Sequence, residues 1–424
     1  MRPIVCWIPV AALSVLAACG DEQAGPTPGP APAGQALAQP AATPAPPAPS
    51  APGAKMPAAK RAFFEVMQLV QEKYVDAGIE PDVLWSGATE GLLRRLLQVR
   101  DPRVRINTLL DPQTVKEMKL GLGGRISGAG MVIKIVEGMV LARHVIAGGP
   151  ADRAGIRDGD RLLAVDGKPL RGLELDAIVG LIRGETGSTV KLFVQREARE
   201  WDQPVVRGPV ILPVVSHLAL PGGAGYLRVS NFNRRTAAQL DAAIAALTGK
   251  GSRAIVLDLR GSPGGLLETA VAVADRFLPP GAEVVTLQRR GGVEEVHRAS
   301  GAHPGDNLPV ALLVDGATAS GAEIVAAALR DNGRASIVGE PTMGKGTVET
   351  IIRLENGWAL KLTVARFYTP RKESLQGAGI RPDLVIPAAA GAEIATYAEP
   401  PDERRLAADP QVAAALHLLA LERR

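Results

Sequence analysis

Residues 20–58 are drawn almost entirely from Ala, Pro, Gly, Thr, Gln and Ser, and this segment decides which parts of the chain can fold. It holds too little apolar surface to offset the entropy of ordering it, so it is expected to stay disordered and partly extended. At ~3.1 Å per residue in the polyproline limit it reaches on the order of 100 Å. Such a segment is a tether. It divides a short apolar leader, residues 1–19, from a body beginning near residue 59. The chain as a whole is 46% hydrophobic and 22% charged, so the body has ordinary globular composition. Its length has room for two or three domains of roughly 100–200 residues each.

Both cysteines, Cys6 and Cys19, lie in the leader, so the body can form neither a disulfide nor a thiolate metal site. The five histidines show no H-x-x-x-H spacing, which argues against a zinc hydrolase. Aromatic residues make up 3% of the chain, leaving few platforms for base stacking. The balance of 48 basic against 44 acidic residues favours neither nucleic acid nor an acidic partner. These patterns imply no metal and no cofactor.

The leader opens with Arg2, continues through an apolar stretch and ends in Leu16-Ala17-Ala18-Cys19. This is the layout of an export signal, too short and small-residued for a stable membrane-spanning helix of ~20 residues. Its end resembles the bacterial lipobox, in which the cysteine becomes the lipidated first residue. The expectation is a lipid anchor at Cys19 on the periplasmic side of a bacterial membrane. An ordinary cleaved signal is the plainer reading of the same leader.

From Lys60 the apolar residues fall at helical spacing (Phe63, Phe64, Met67, Leu69, Val70), and Val83 to Leu97 repeats the pattern, so residues 59–118 are expected to be a helical segment. Residues 119–198 read as one compact unit. Gly138 separates two apolar runs as a hairpin, and Asp166-Gly167 closes a strand with a tight turn. Leu175, Ile178, Val179 and Ile182 mark a helix, and Val190 to Val194 a final strand. With Gly149-Pro150-Ala151, Ala154-Gly155-Ile156 and Asp158-Gly159-Asp160, this unit resembles a PDZ domain of the circularly permuted, protease-associated type. A PDZ domain pairs an extended peptide with a strand edge while backbone amides receive its terminal carboxylate. The matching loop here is Ser127-Gly128-Ala129-Gly130 leading to Met131; a simple glycine turn is the alternative.

The remainder, residues 199–424, reads as α/β. Ala254 to Leu259 is a buried-type strand followed by Gly261-Ser262-Pro263-Gly264-Gly265 and a helix. Val310 to Val314 is another, followed by the turn Asp315 to Ala319 and a helix from Ser320. Thr347 to Leu354 and Trp358 to Ala365 alternate around Asn356-Gly357 as a hairpin. A last helix runs from Gln411 to Leu421.

Two residues carry candidate chemistry. Ser320 stands where a strand and turn feed a helix whose first N–H groups point outward, as a nucleophile beside an oxyanion hole would. Yet Ser320-x-x-Glu323 is also a capping box that needs no chemistry. Lys345, in Gly344-Lys345-Gly346, follows a buried run. A lysine desolvated there holds its proton less tightly than the ordinary ~10.4 implies and can act as a general base. A surface lysine in a turn is the other reading.

Taken in order, Arg228 to Asn231, Asp258-Leu259-Arg260 with Pro263-Gly264-Gly265, Thr318-Ala319-Ser320 with Glu323-Ile324, Gly339-Glu340 with Gly344-Lys345-Gly346-Thr347, Thr363 to Pro370, Ile380-Arg381-Pro382-Asp383 and Asp409-Pro410-Gln411 resemble the motifs of the carboxyl-terminal processing (tail-specific) peptidases. The resemblance covers residues 60–420. It implies an α/β fold with a crotonase-like catalytic core, an inserted PDZ domain and an N-terminal helical segment. It also implies a Ser–Lys pair, Ser320 as nucleophile and Lys345 as base, with an oxyanion hole from Gly321 and Gly264 or Gly265. The implied substrates are proteins with flexible C-terminal tails; any regulatory partner stays unidentified. Two positions depart from the pattern: Gly321-Ala322 replaces a Ser/Ala-rich pair, and Glu349 stands where the family commonly has Gln. In a straight strand Glu349 lies ~13 Å from Lys345, so contact needs a bend, which Gly346 permits.

Two rival readings are open. Gly339 to Lys345 fits G-x-x-x-x-G-K, but Gly346 replaces the Ser/Thr that would hold Mg²⁺ and a strand pattern follows instead of a helix. A catalytically inactive, PDZ-containing scaffold is the second, and Glu349 is its best support.

Overall fold

The computed structural model describes residues 58–73, 80–98, 107–301, 308–389 and 400–421. The leader with Cys19, the tether before residue 58 and the Asp101-Pro102 pair lie outside the described residues. An N-terminal unit holds helices α1 (Ala58–Lys73) and α2 (Pro81–Gln98). Phe63 and Phe64 of α1 bring their rings to within 5.7 Å and 5.8 Å of Trp85 on α2. Among the described residues no helix is long and apolar enough to cross a membrane.

The larger unit opens with β1 (Thr108–Leu110) and α3 (Pro112–Leu122). The Asp111 carboxylate accepts the N–H groups of Gln113 and Thr114, and Pro112 fills the first helical position, where no N–H is needed. After β2 (Arg125–Gly128) come β3 (Met131–Val136), β4 (Met139–Val145), helix α4 (Pro150–Arg153), β5 (Arg161–Val165) and β6 (Lys168–Pro169). Helix α5 (Leu175–Ile182), β7 (Thr189–Arg196), β8 (Arg199–Val206) and β9 (Gly208–Ile211) follow. The sheet runs β3-β4-β5-β7-β8, leaving β3 at an edge with α5 packed beside it. Positive φ at Glu137 and Gly138, and again at Asp166 and Gly167, makes both turns tight. Ile178 and Ile182 of α5 pack on Ala142, Leu162, Val190 and Leu192. The sheet continues past residue 198: Arg196 faces Arg199 across a turn at Glu197, and β8 pairs with β7 throughout. Strand β9 returns to β2, with Gly208 opposite Gly128.

The rest is built from β10 (Val215–Ala219), β11 (Gly225–Val229), α6 (Thr236–Gly249), β12 (Ile255–Asp258), α7 (Leu267–Asp275), β13 (Glu283–Arg289) and β14 (Glu294–Arg298). It continues with β15 (Val310–Val314), α8 (Gly321–Asp331), β16 (Ala335–Gly339), β17 (Thr347–Arg353), β18 (Ala359–Tyr368), β19 (Leu384–Val385), α9 (Glu403–Ala407) and α10 (Pro410–Leu421). One sheet has the order β10-β11-β12-β15-β16-β19 and is parallel except at β10. Alternate residues serve opposite faces. Leu227, Ile255, Leu257, Leu312 and Val314 pack with residues of α6, α7 and α8. Tyr226, Val256, Ala311, Leu313 and Val338 pack with Leu406 of α9 and Val412, Ala415 and Leu419 of α10. A parallel sheet covered on both faces requires strands apolar throughout, as β12 and β15 nearly are. In the second sheet β18 lies between β17 on one side and β1 and β13 on the other.

This topology positions the site. The loops after the neighbouring strands β12, β15 and β16 leave the same, carboxyl edge of the parallel sheet, where open α/β sheets place their ligands. Those loops carry Gly264 and Gly265, Ser320, and Lys345.

Candidate active site

The turn after β15 is braced from within. Asp315 Oδ1 accepts the N–H groups of Ala317, Thr318 and Gly261, and Thr318 donates its hydroxyl to the carbonyl of Leu259 at the end of β12. The chain then reaches Ser320, fully buried, at φ 57° and ψ −118° immediately before α8. A non-glycine residue in this region is strained by about 1–3 kcal/mol, and its surroundings must hold it there. Here the Ser320 N–H is held by Glu323 Oε2 at 2.8 Å.

The glycines beside it leave no room for side chains. A Cβ on Gly264 would lie 2.5 Å from Gly321 N and 2.7 Å from Ala319 O, and one on Gly265 would lie 2.1 Å from Phe232 O. The Gly264 carbonyl is turned away, accepting from Phe232 N and Asn231 Nδ2. Gly264, Gly265 and Gly321 are thus gathered at Ser320.

Glu323 does more than cap a helix. Its buried carboxylate also accepts the Thr342 hydroxyl at 2.5 Å and the N–H groups of Gly344 at 2.8 Å and Lys345 at 2.9 Å. Burial raises this carboxyl above the ordinary glutamate range, opposed by those hydrogen bonds. One side chain therefore fastens the Ser320 turn to the Lys345 loop. The loop is also pressed against residues 375–379. A Cβ on Gly344 would meet Gly379 N at 2.7 Å, and Gly346 N–H donates to Gln376 Oε1.

The Lys345 side chain is 14% exposed, and its Nζ lies 3.2 Å from Oε2 of the buried Glu349. Glu349 Oε1 accepts the Thr347 hydroxyl at 2.8 Å. The bend that contact requires has two parts: β17 begins only at Thr347, and its register with β18 skips Val364 between the Val348–Ala365 and Glu349–Thr363 pairs. A strand follows Gly346 where a phosphate-binding loop would need a helix.

Behind the glycine loop lies a buried polar network. Tyr226 donates its hydroxyl to Asp258, and Arg260 reaches Asp258, Asp409 and Gln411. Burial alone would raise the Asp258 carboxyl, but Arg260 and Arg228 hold it below the ordinary carboxylate range. The network roots the start of the glycine loop on the segment that leads into α10.

The second candidate site lies at the β3 edge. Ser127, Gly128, Ala129, Gly130 and Met131 form the approach to that strand. The Ala129 and Gly130 carbonyls accept from Ala151 and Ile146, and Ser127 Oγ donates to the Gly184 carbonyl. Gly130 has φ 77°, and a Cβ there would press on Val210 and Pro150, so this position is bound to glycine. A Cβ on Gly128 would meet nothing within 4 Å.

Residues 223–386 match the profile of peptidase family S41, and residues 142–196 match that of a PDZ domain. The chain is 32% identical over 323 residues to the carboxy-terminal processing protease CtpA of Bacillus subtilis, covering 76% of this chain and 66% of that protein. It is 34% identical over 330 residues to the carboxy-terminal-processing protease of Bartonella bacilliformis, covering 76% and 74%. Among solved structures, the photosystem II D1 C-terminal processing protease is 28% identical, with 78% of this chain and 94% of that chain covered at a TM-score of 0.45. The chain belongs to peptidase family S41, among the carboxy-terminal processing serine proteases, and carries a PDZ domain.

Proposed function

We propose that the chain is a serine endopeptidase that cleaves proteins near flexible C-terminal tails, on a crotonase-like catalytic core, with Ser320 as nucleophile and Lys345 as general base. The observation that carries this reading is the Glu323 clamp, which holds the strained Ser320 and the Lys345 loop on one carboxylate. Neutral Lys345 takes the proton as Ser320 Oγ attacks the peptide carbonyl. The oxyanion is received by the Gly321 N–H with an N–H of Gly264 or Gly265. Collapse releases the C-terminal fragment, whose leaving nitrogen takes the proton back from Lys345. Water then attacks the Ser320 ester, giving a proton to Lys345, which passes it to Ser320 Oγ as the acyl–oxygen bond breaks and the acid product leaves. Casein or tail-peptide cleavage by wild type and its loss in Ser320→Ala test this; equal cleavage by both would overturn it.

The free edge of β3 supports recruitment of the tail as an added strand, its carboxylate at Ser127 to Met131. The leader supports export and a lipid anchor at Cys19, which puts the enzyme at the periplasmic face of a bacterial membrane. Intact-mass measurement of the mature protein tests this, and an unmodified N-terminus within residues 20–58 would refute it.

The contact between Lys345 and Glu349 favours one other reading, a catalytically inactive PDZ-containing scaffold, because a paired ammonium is no base. Failure of Ser320 to react with an active-site serine probe at any pH would support the scaffold.

A further inference from the structure

Lys361 is 2% exposed in the middle of β18, and the chemistry above makes no use of it. It stands opposite Ile351 of β17, so Glu349, two residues earlier, is its diagonal neighbour on the same face. Such neighbours lie ~7–8 Å apart, within reach of long side chains. On its other side Lys361 pairs with Thr108 of β1. Among the described residues, the other charged groups toward this face are Lys345, from the loop before β17, and Arg353, exposed at the far end of β17. Helix α3 packs on the face through Val115 and Met118, against Leu110, Ile351 and Ala359, while its own Lys116, Glu117 and Lys119 are exposed. The register thus sets Lys361 on the face of the sheet that carries Glu349, the carboxylate in contact with Lys345.

We propose that Lys361 is a positioning residue for the catalytic base: it supplies a counter-charge to Glu349, so that Lys345 is not that carboxylate's sole cationic partner and can serve as the base. The inference rests on Lys345 being the base. Its physical content is a competition. If Lys345 were the sole cation beside Glu349, the carboxylate would hold it protonated. A second ammonium on the same carboxylate offsets that attraction and also repels Lys345. Burial brings Lys361 down to about 8, with the charge of Lys345 adding to the effect and that of Glu349 opposing it. At neutral pH Lys361 is then still mostly protonated and able to serve.

The test is casein hydrolysis by the full chain from about pH 6 to about pH 10, with thermal unfolding to show that each variant is folded. Lys361→Met should move the rising limb of the pH–rate profile toward alkaline pH by about one unit, and Glu349→Gln should move it toward acid by a similar amount. The double variant should return close to wild type, because both charges are gone. Lys361→Gln, which keeps a polar group of similar length, should repeat the shift of Lys361→Met. Three results would overturn the proposal: a Lys361→Met profile that overlays wild type, one lowered equally at every pH, or a double variant whose rising limb stays as alkaline as that of Lys361→Met. Substantial activity in Lys345→Ala would instead remove the base assignment itself, a separate failure.

Discussion

Replacing Glu323 by glutamine exchanges one carboxylate oxygen for an NH₂ group and leaves the shape of the side chain alone. The donors divide evenly: Oε1 receives Thr342 and Gly344, and Oε2 receives Ser320 and Lys345. Whichever oxygen is lost, two donors face an NH₂ group that cannot accept from them. The Thr342 hydroxyl can turn and accept instead, but a backbone N–H cannot. With one or two buried N–H groups left unpaired at about 1–3 kcal/mol each, the cost is roughly 1–6 kcal/mol. That cost appears either as lost stability or as separation of the Ser320 turn from the Lys345 loop. A misplacement of about 1 Å in such a pair lowers the rate by about 100-fold. The expected result is a Glu323→Gln enzyme that folds, melts at lower temperature and loses about 100-fold in kcat, with KM changed far less. A kcat equal to that of wild type, or a change confined to KM, would refute the clamp. A pH dependence accompanies it. Burial raises Glu323, so the folded protein holds this proton more tightly than the unfolded chain does. Its contribution therefore favours folding at low pH and is lost as pH rises from the ordinary value near ~4.3 through the raised folded value. Glu323→Gln should remove that slope from the stability–pH curve.

Ser320→Ala and Lys345→Ala should each abolish casein cleavage without lowering the unfolding temperature. Because the two act as one unit, the double variant should lose little more than either single variant; strong residual cleavage by Lys345→Ala at neutral pH would show that another group is the base. Amidating the terminal carboxylate of a tail peptide should weaken its binding and raise KM, and a peptide indifferent to amidation would remove the assignment of Ser127 to Met131 as a carboxylate loop.

Strands β12 and β15 were legible because they are apolar over all or nearly all of their length, as Ile255 to Leu257 and Val310 to Val314 show. The hairpins were legible because Asp166-Gly167 and Asn356-Gly357 are turn dipeptides. Other elements leave weaker marks. Strand β8 buries only Val205, and β14 is mostly charged and exposed, so neither has an apolar period. Both exist because a neighbour offers them an edge, β7 in one case and β13 in the other. Helix α6 goes unassigned from the sequence because its run of alanines blurs the apolar face that Leu240, Ile244 and Leu247 define in the fold.

The site divides along the same line between local and long-range information. Ser320-x-x-Glu323 is recognisable as a capping box because both residues belong to one helical turn. The other partners of Glu323 lie on residues 342–345 and reach it only because β15 and β16 are neighbours in the sheet. No spacing along the chain reports that adjacency. Glu349 reverses the lesson. Its separation of four residues from Lys345 argues against contact in a regular strand, yet the ion pair forms because the strand begins late and its register slips. Lys361 is hidden for a third reason. In an alternating strand a lysine marks the solvent face, but here Thr108 on β1 and the cover of α3 turn that face into an interior. Lys361 lies diagonal to Glu349 on the same face, a placement that only the register between β17 and β18 creates.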